Sequence, residues 1–234
     1  MEIKNSNIII TGGSSGIGRA TAEMLINKGA SVLITGRNEK KLIEVANIIG
    51  ATPLLFDISN LNSIPQKAKE AVELLGGKVD TLVNNAGIGT FPLLGEITAE
   101  DLMSCYNVNV FGLALLTQEI AKHFQENKYG NIINLGSTAA LKGFARGSIY
   151  AASKFAVGGM TQSWQAELRK FNIRVTLINP SEVTTAFANE DRIERVEEDN
   201  KLGSQEIAHA IVSTIEMRDK GFIPEVTIWA TNPF

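Results

Sequence analysis

Cysteine and histidine are nearly absent from this 234-residue chain. Cys105 stands alone, so no internal disulfide can form, and with only His123 and His209 beside it there are too few soft ligands for a zinc site. No metal centre is expected. Long hydrophobic runs are also missing: the N-terminal MEIKNSNIIITGG has an apolar run of four residues before its glycines, too short for a signal-peptide core or a membrane span. Lys and Arg nowhere form a run long enough for a basic stripe, and the net charge is −3, so nucleic acid is not an expected partner. The expectation is a cytoplasmic protein, with no membrane association, that acts on a small molecule through groups other than thiols, imidazoles or metals. Repeats and low-complexity segments are absent too. The one break in composition is the charged Ala188–Lys201, ANEDRIERVEEDNK, read as an exposed helix or a mobile flap.

The chain does have enough apolar residues, 44% of the total, to bury one substantial core, and its length suits one domain spanning 1–234. Apolar runs of strand length (NIII, SVLIT, ATPLLF, TLVN, GNIINL, IRVTLI, EVTIW) alternate with amphipathic stretches such as Ile17–Lys28, Glu39–Ile49, Ser63–Leu74 and Ser148–Phe171. That alternation predicts an α/β fold, a doubly wound parallel sheet of about seven strands with helices on both faces. Runs such as NIII and TLV are apolar at successive positions, as strands covered on both sides should be.

NIIITGGSSGIGRATAEML reads strand, glycine loop, helix, the setting that a phosphate-binding glycine motif requires. Gly12 permits the tight turn, Gly16 lets the backbone approach a pyrophosphate, and Gly18 lets helix and strand pack closely; Gly13 is an extra glycine. The helix start at Ile17 offers N–H groups and a partial positive charge, and Ser14 and Ser15 add hydroxyl donors. In dinucleotide folds an acidic residue commonly ends the second strand and binds the adenosine ribose hydroxyls. Here SVLIT ends in Gly36 and Arg37, with Asn38 and Lys41 nearby. A guanidinium there grips a 2′-phosphate that a carboxylate would repel, so NADP(H) is favoured, with NAD(H) the alternative. Asp57, followed by Ile58, is placed either to accept from an adenine amino group or to serve as a helix N-cap two residues before Ser59. The fourth strand runs into NNAGIG, where Asn84 ties neighbouring strands and Ala86 and Gly87 leave room for the adenosine ribose.

SIYAASKFA places Tyr150 and Lys154 at i and i+4 on one helix face, with alanines between them that let a ligand approach. A free phenol, with a pKa of about 10, is a poor base at neutral pH, and a neighbouring ammonium is expected to lower that value. Tyr150 then serves as general acid/base for a carbonyl and its alcohol, Ser137 donates a hydrogen bond to the developing oxyanion, and Lys154 also binds the nicotinamide ribose.

These motifs, TGGSSGIG at 11–18, NNAG at 84–87, Asn109 within YNVNVFG, Ser137 and YAASK at 150–154, resemble those of the short-chain dehydrogenase/reductase family in order and spacing. The resemblance implies a Rossmann-type fold, a nicotinamide cofactor and a catalytic set of Asn109, Ser137, Tyr150 and Lys154, with Asn109 in a helix bulge that positions a proton-relay water. It implies further that Pro180, Val183 and Thr185 meet the nicotinamide, that a substrate lid occupies 186–203, and that the protein is a homo-oligomer, a tetramer or dimer. One departure stands out. Ser181 replaces the family's glycine and Glu182 follows it, so a left-handed backbone at 181 would be strained. Phe91, Leu93 and GFARG at 143–147 are expected around the substrate. The leading expectation is an NADP(H)-dependent carbonyl/alcohol oxidoreductase. A 3-oxoacyl-carrier-protein reductase is a narrower form of that reading, and a dinucleotide-sensing protein without turnover is its rival.

Overall fold

The computed structural model describes residues 1–188, 195–196 and 198–233. Seven strands form one parallel sheet: β1 (Asn7–Ile10), β2 (Ser31–Gly36), β3 (Thr52–Leu55), β4 (Thr81–Asn84), β5 (Gly130–Leu135), β6 (Ile173–Pro180) and β7 (Glu225–Ile228). Their spatial order is β3-β2-β1-β4-β5-β6-β7. The connecting helices are α1 (Gly16–Asn27), α2 (Glu39–Ile49), α3 (Ile64–Leu74), α4 (Ala99–Tyr106), α5 (Leu113–Asn127), α6 (Ser148–Leu168) and α7 (Ser204–Glu216), with a π-helical turn, Asn107–Gly112, joining α4 to α5. All seven apolar runs are strands; the central ones, β1, β4 and β5, are buried almost throughout, as strands covered on both sides should be, while the edge strands β3 and β7 are largely open to solvent.

Successive strand residues point to opposite faces. Ile8, Ile10, Val32 and Ile34 pack with α1, α2 and α7 through Leu25, Leu42 and Ile211, whereas Ile9, Leu33, Leu82 and Ile132 pack with α3 and α5 through Ile64, Ile120 and Phe124. On that second face α6 lies against β6 and α5 through Val157, Leu177 and Leu113. Each such side chain, once fully buried, contributes roughly 1.5–3 kcal/mol of hydrophobic stabilisation.

Two buried asparagines interrupt this apolar pattern. Asn84 and Asn134 are register partners on β4 and β5, and Asn84 Nδ2 donates to Asn134 Oδ1 at 2.9 Å and to Thr117 Oγ1 of α5 at 2.8 Å. Asn134 Nδ2 in turn donates to Thr161 Oγ1 of α6 at 2.9 Å. The chain of bonds therefore fixes α5 and α6 on the sheet at set heights. Asn84 ties strands as expected, but it lies beneath the cleft described below and is not part of its wall. Its side chain faces α5 and β5.

The sheet reverses its winding between β1 and β4, and ligands of open α/β sheets bind at the strand C-termini beside such a point. Of the charged stretch Ala188–Lys201 and the expected lid at 186–203, residues 189–194 and 197 lie outside the described residues. The described parts are a 3₁₀ turn at Ala186–Ala188 and a bridge between Val183 and Leu202. Among the described residues, no helix is long and apolar enough to cross a membrane.

Candidate active site

At the switch point the loops after β1 and β4 are locked together. Thr11 Oγ1 accepts from the N–H groups of Asn85 and Ala86, both at 3.0 Å, and Asn85 Nδ2 donates to the carbonyls of Thr11 at 2.9 Å and Gly12 at 3.1 Å. Gly12 turns there with φ +66°, a conformation costly for any residue with a Cβ. A Cβ on Gly18 would collide with Asn85 Nδ2 and the Gly12 carbonyl, so α1 can start this close to the β1 turn only with glycine in that place. The N-cap of α1 is Ser15, whose side chain makes no capping hydrogen bond, so its hydroxyl is left facing the cleft with those of its neighbours. Asn85 was not anticipated from the sequence, although its place beside Asn84 in the NNAG motif was the available signal.

A cleft of about 1100 Å³ runs from this loop in both directions. Toward β2 it is walled by Ser14, Ser15, Gly16 and Ile17 of the loop and by Arg37, Asn38 and Lys41. Asn38 is the N-cap of α2, its Oδ1 accepting from Lys41 N–H at 3.0 Å, so its side chain is committed to the helix. Arg37 is exposed at the rim. Asp57 and Ile58 complete this end. Asp57 Oδ1 accepts from both the N–H and the hydroxyl of Ser59, at 3.0 and 2.7 Å, so it closes a turn and is not a helix N-cap, a place Asn60 takes before the 3₁₀ turn Leu61–Ser63; Asp57 also lines the cleft.

In the other direction, Ala86 and Gly87 lead to Ser137, Tyr150 and Lys154, brought together from β4, β5 and α6. Ser137 is fixed by its own N–H, which donates to Asn179 Oδ1 at 3.1 Å, and by its Oγ, which accepts from Ala139 N–H at 3.1 Å. The ring of Tyr150 lies between those of Phe91 and Phe187, with centroids 5.5 and 5.4 Å away. Lys154 is buried, and its Nζ donates to the Leu135 carbonyl at 2.7 Å and lies 5.8 Å from the Tyr150 ring centroid.

The electrostatics differ from the sequence expectation. Burial among these rings pushes the Tyr150 phenol up to about 12, opposed by the hydrogen bond with Ser137. The same desolvation pushes Lys154 down to about 8. Loss of water penalises both charged forms, and in the protein's own field it outweighs the attraction expected from spacing alone. At pH 7 the phenol is protonated, and the amine is mostly so.

Asn109 sits in the π turn and is fully buried. Its Oδ1 accepts from Ile88 N–H at 2.9 Å, and its Nδ2 donates to the Ile88 carbonyl at 2.9 Å and to Ser153 Oγ at 3.0 Å. Ser153 Oγ donates to the Tyr150 carbonyl at 2.7 Å, which joins the π turn, the loop after β4 and the first turn of α6. Asn109 thus stands behind the cleft rather than in its wall. Pro180, Val183 and Thr185 line the cleft after β6. Ser181 does too, and it is not among the residues with positive φ; its N–H pairs with the Ile228 carbonyl at 2.9 Å, so the expected strain is absent. Extension of β6 to Pro180, paired with β7, keeps this segment extended where a glycine would allow a turn.

A family model described as short chain dehydrogenase matches residues 6–196. The chain belongs to the short-chain dehydrogenase family. It is 31% identical over 230 residues to an uncharacterized oxidoreductase of Staphylococcus epidermidis, covering 97% of this chain and 98% of the relative. Among solved structures, it resembles a metagenomic short-chain oxidoreductase in complex with NADP, with TM-score 0.83, 30% identity, and coverage of 97% of this chain and 98% of the other. It is also similar to a short-chain dehydrogenase/reductase from Burkholderia phymatum in complex with NAD, with TM-score 0.86, 28% identity, and coverage of 96% and 90%. The protein is an oxidoreductase.

The burial of Lys154 has a measurable consequence. Its amine is lowered from the usual 10.5 to about 8, so below pH 8 the folded state holds a desolvated charge that the unfolded chain would hydrate. That penalty, on the order of 3 kcal/mol at about 1.4 kcal/mol per unit, is relieved as pH rises from 8 toward 10. Lys154→Met should therefore gain stability relative to the parent most at pH 7, and the gain should shrink between pH 8 and 10, as read from urea midpoints. A difference that is flat with pH would contradict the assigned burial.

Proposed function

We propose that this oxidoreductase interconverts a carbonyl and a secondary alcohol with NADP(H), and that it is set up as a reductase. The observation that carries the reading is the convergence of Ser137, a protonated Tyr150 and Lys154 at one end of a cleft whose other end is a bare-backbone glycine turn. That cleft suits a nicotinamide dinucleotide. Gly12 and Gly16, both with positive φ, would lie against the pyrophosphate, while Lys154 would hold the nicotinamide-side ribose; Gly87, beside the Lys154 amine, would with Ala86 lie nearer that ribose than the adenosine ribose expected of them from the sequence. Pro180, Val183 and Thr185 would meet the nicotinamide. When bound, the dinucleotide supplies a hydride to a carbonyl carbon or takes one from an alcohol carbon.

The chain's own residues handle the oxygen. In reduction the Tyr150 Oη–H gives its proton to the carbonyl oxygen as negative charge develops there, a step that requires the phenol in the protonated form that burial enforces. Because Ser137 Oγ already accepts from Ala139 N–H, its own hydrogen is available for the same oxygen. Lys154 spends one of its three N–H donors on Leu135, and its charge stabilises the phenolate left behind. Asn109 acts through the Ile88 backbone and Ser153, holding the loop after β4 against α6; its place in the set is that of a positioning residue.

NADP(H) is favoured over NAD(H) by Arg37, which stands just past β2 in place of a carboxylate, and by Lys41 in the first turn of α2. A homo-oligomer is supported by the exposed Met103, Phe111 and Phe155 on and beside α4, α5 and α6, a face that a second copy of the chain would cover.

Tyr150→Phe should lower kcat for carbonyl reduction by at least about a hundredfold and change the dinucleotide Kd by less than about threefold, measured by absorbance and fluorescence titration. Wild-type turnover in that variant would remove the role of the phenol. Arg37→Ala should weaken NADPH binding about tenfold and leave NADH binding unchanged, reflecting the loss of one charge-assisted contact. Equal affinity of the parent for both would refute the phosphate argument. Sedimentation equilibrium should give a dimer or tetramer, with Phe155→Glu shifting it toward monomer; a monomeric parent would contradict the covered face.

A further inference from the structure

We propose that the site takes apolar, ring-bearing ketones or aldehydes in preference to polyol or carboxylate-bearing carbonyls; this rests on the carbonyl reading above and names its substrate class. The reacting phenol is walled by phenyl rings. Phe91 and Phe187 flank Tyr150, and Phe144 extends the wall, its ring centroid 6.1 Å from that of Phe91. All four rings line the cleft.

The chain is shaped to seat them. A Cβ on Gly89 would lie 2.6 Å from the Phe91 ring and 2.9 Å from that of Phe187, and a Cβ on Gly147 would lie 2.7 Å from Phe144. These rings rest directly on glycine backbone from two different loops. The loops are tied to each other, since Arg146 Nε donates to the Phe91 carbonyl at 2.9 Å, with Arg146 itself held at φ +66°. The wall is thus built before any substrate arrives, so little ordering has to accompany binding.

The charges nearby are committed elsewhere or sit on the rim. Arg146 spends its Nε on the Phe91 carbonyl, and Arg195 is paired with Glu182 at 3.4 Å and Glu198 at 3.2 Å. Lys142 is exposed at the edge. Beside the three phenyl rings stand the Tyr150 and Ser137 hydroxyls, which are needed for the carbonyl oxygen itself, and the Lys154 amine, which bonds the Leu135 carbonyl; Thr138, Ser181, Glu182 and Thr185 line the cleft as well. Hydroxyls of a substrate laid on the phenyl wall would find no hydrogen bond from it, and a carboxylate would lose hydration there; a ring offers edge and face contacts instead.

The test compares kcat/KM for acetophenone, dihydroxyacetone and pyruvate with NADPH and NADH, and titrates acetophenone calorimetrically into the Tyr150→Phe variant loaded with either dinucleotide. Acetophenone should exceed both polar substrates by at least about tenfold and should bind the inactive variant. Phe144→Ala, which removes a half-exposed ring and so leaves the fold intact, should raise KM for acetophenone about tenfold while kcat stays within about twofold. If dihydroxyacetone or pyruvate equals or exceeds acetophenone while Tyr150→Phe is inactive, the substrate class is overturned and the carbonyl chemistry stands. If no carbonyl is reduced, or Tyr150→Phe keeps its rate, both readings fall together. Unchanged KM in Phe144→Ala would also refute the aromatic wall.

Discussion

A lysine with almost no access to water is the constraint around which the site is organised. Lys154 is 4% exposed, and an ammonium in that position destabilises the fold unless the surroundings satisfy it. The Leu135 carbonyl at the end of β5 does so in part. That bond ties the first turns of α6 to the same strand end that delivers Ser137 two residues later. The small residue at Gly87 leaves space beside the amine: a Cβ built there would come within 3.8 Å of Nζ. The charge, the hydroxyl and the phenol therefore hold their positions together, because the lysine can be in only one place.

Keeping α6 at that height requires the rest of the fold. The hydrogen-bonded series Thr117, Asn84, Asn134, Thr161 crosses two central strands and ends eleven residues beyond Tyr150 on the same helix. Buried amides of this kind contribute about 1 kcal/mol per bond when paired and cost more when a partner is lost, so they specify geometry more than they add stability. A second series, Asn109 to Ser153 to the Tyr150 carbonyl, fixes the other end of the same helix segment. The loop after β4 is common to both, and through Asn85 it also closes the glycine turn. One short segment, residues 84–88, thereby couples the two ends of the cleft.

Much of this was legible in the sequence, for reasons that differ by residue. NIII, TLVN and GNIINL are strands because parallel strands covered on both faces need continuous apolar runs, and that pattern is local. Gly12 and Gly18 were legible because a positive φ and a close backbone approach leave no substitute for glycine. Asn84 showed its role in tying strands but not its distance from the cleft, since which face a strand residue presents depends on register. Ser181 was read against a family habit, whereas the ladder with β7 keeps it extended. The sign of the Tyr150 shift was read from spacing, and spacing conveys proximity to a cation without conveying the loss of water. Phe91 was expected near the substrate, but Phe187 was not: they lie 59 and 37 residues from the phenol along the chain, and no local pattern announces that both rings meet it.

The upward shift of the phenol and the downward shift of the amine have a single cause, and that determines what the site is prepared to do. Desolvation opposes a phenolate and an ammonium alike, so the protein alone favours the state in which Tyr150 holds its proton. A proton donor is in its working form in that state, and a base is not. Proton transfer out of the phenol creates a buried anion beside a buried cation, and the attraction between them in that low-dielectric setting is strongest once both charges exist. The pair therefore stabilises the arrangement after transfer more than the one before it. In the proposed reduction this differential would accelerate the proton transfer, and it follows from the same burial that makes Lys154 a liability to the folded chain.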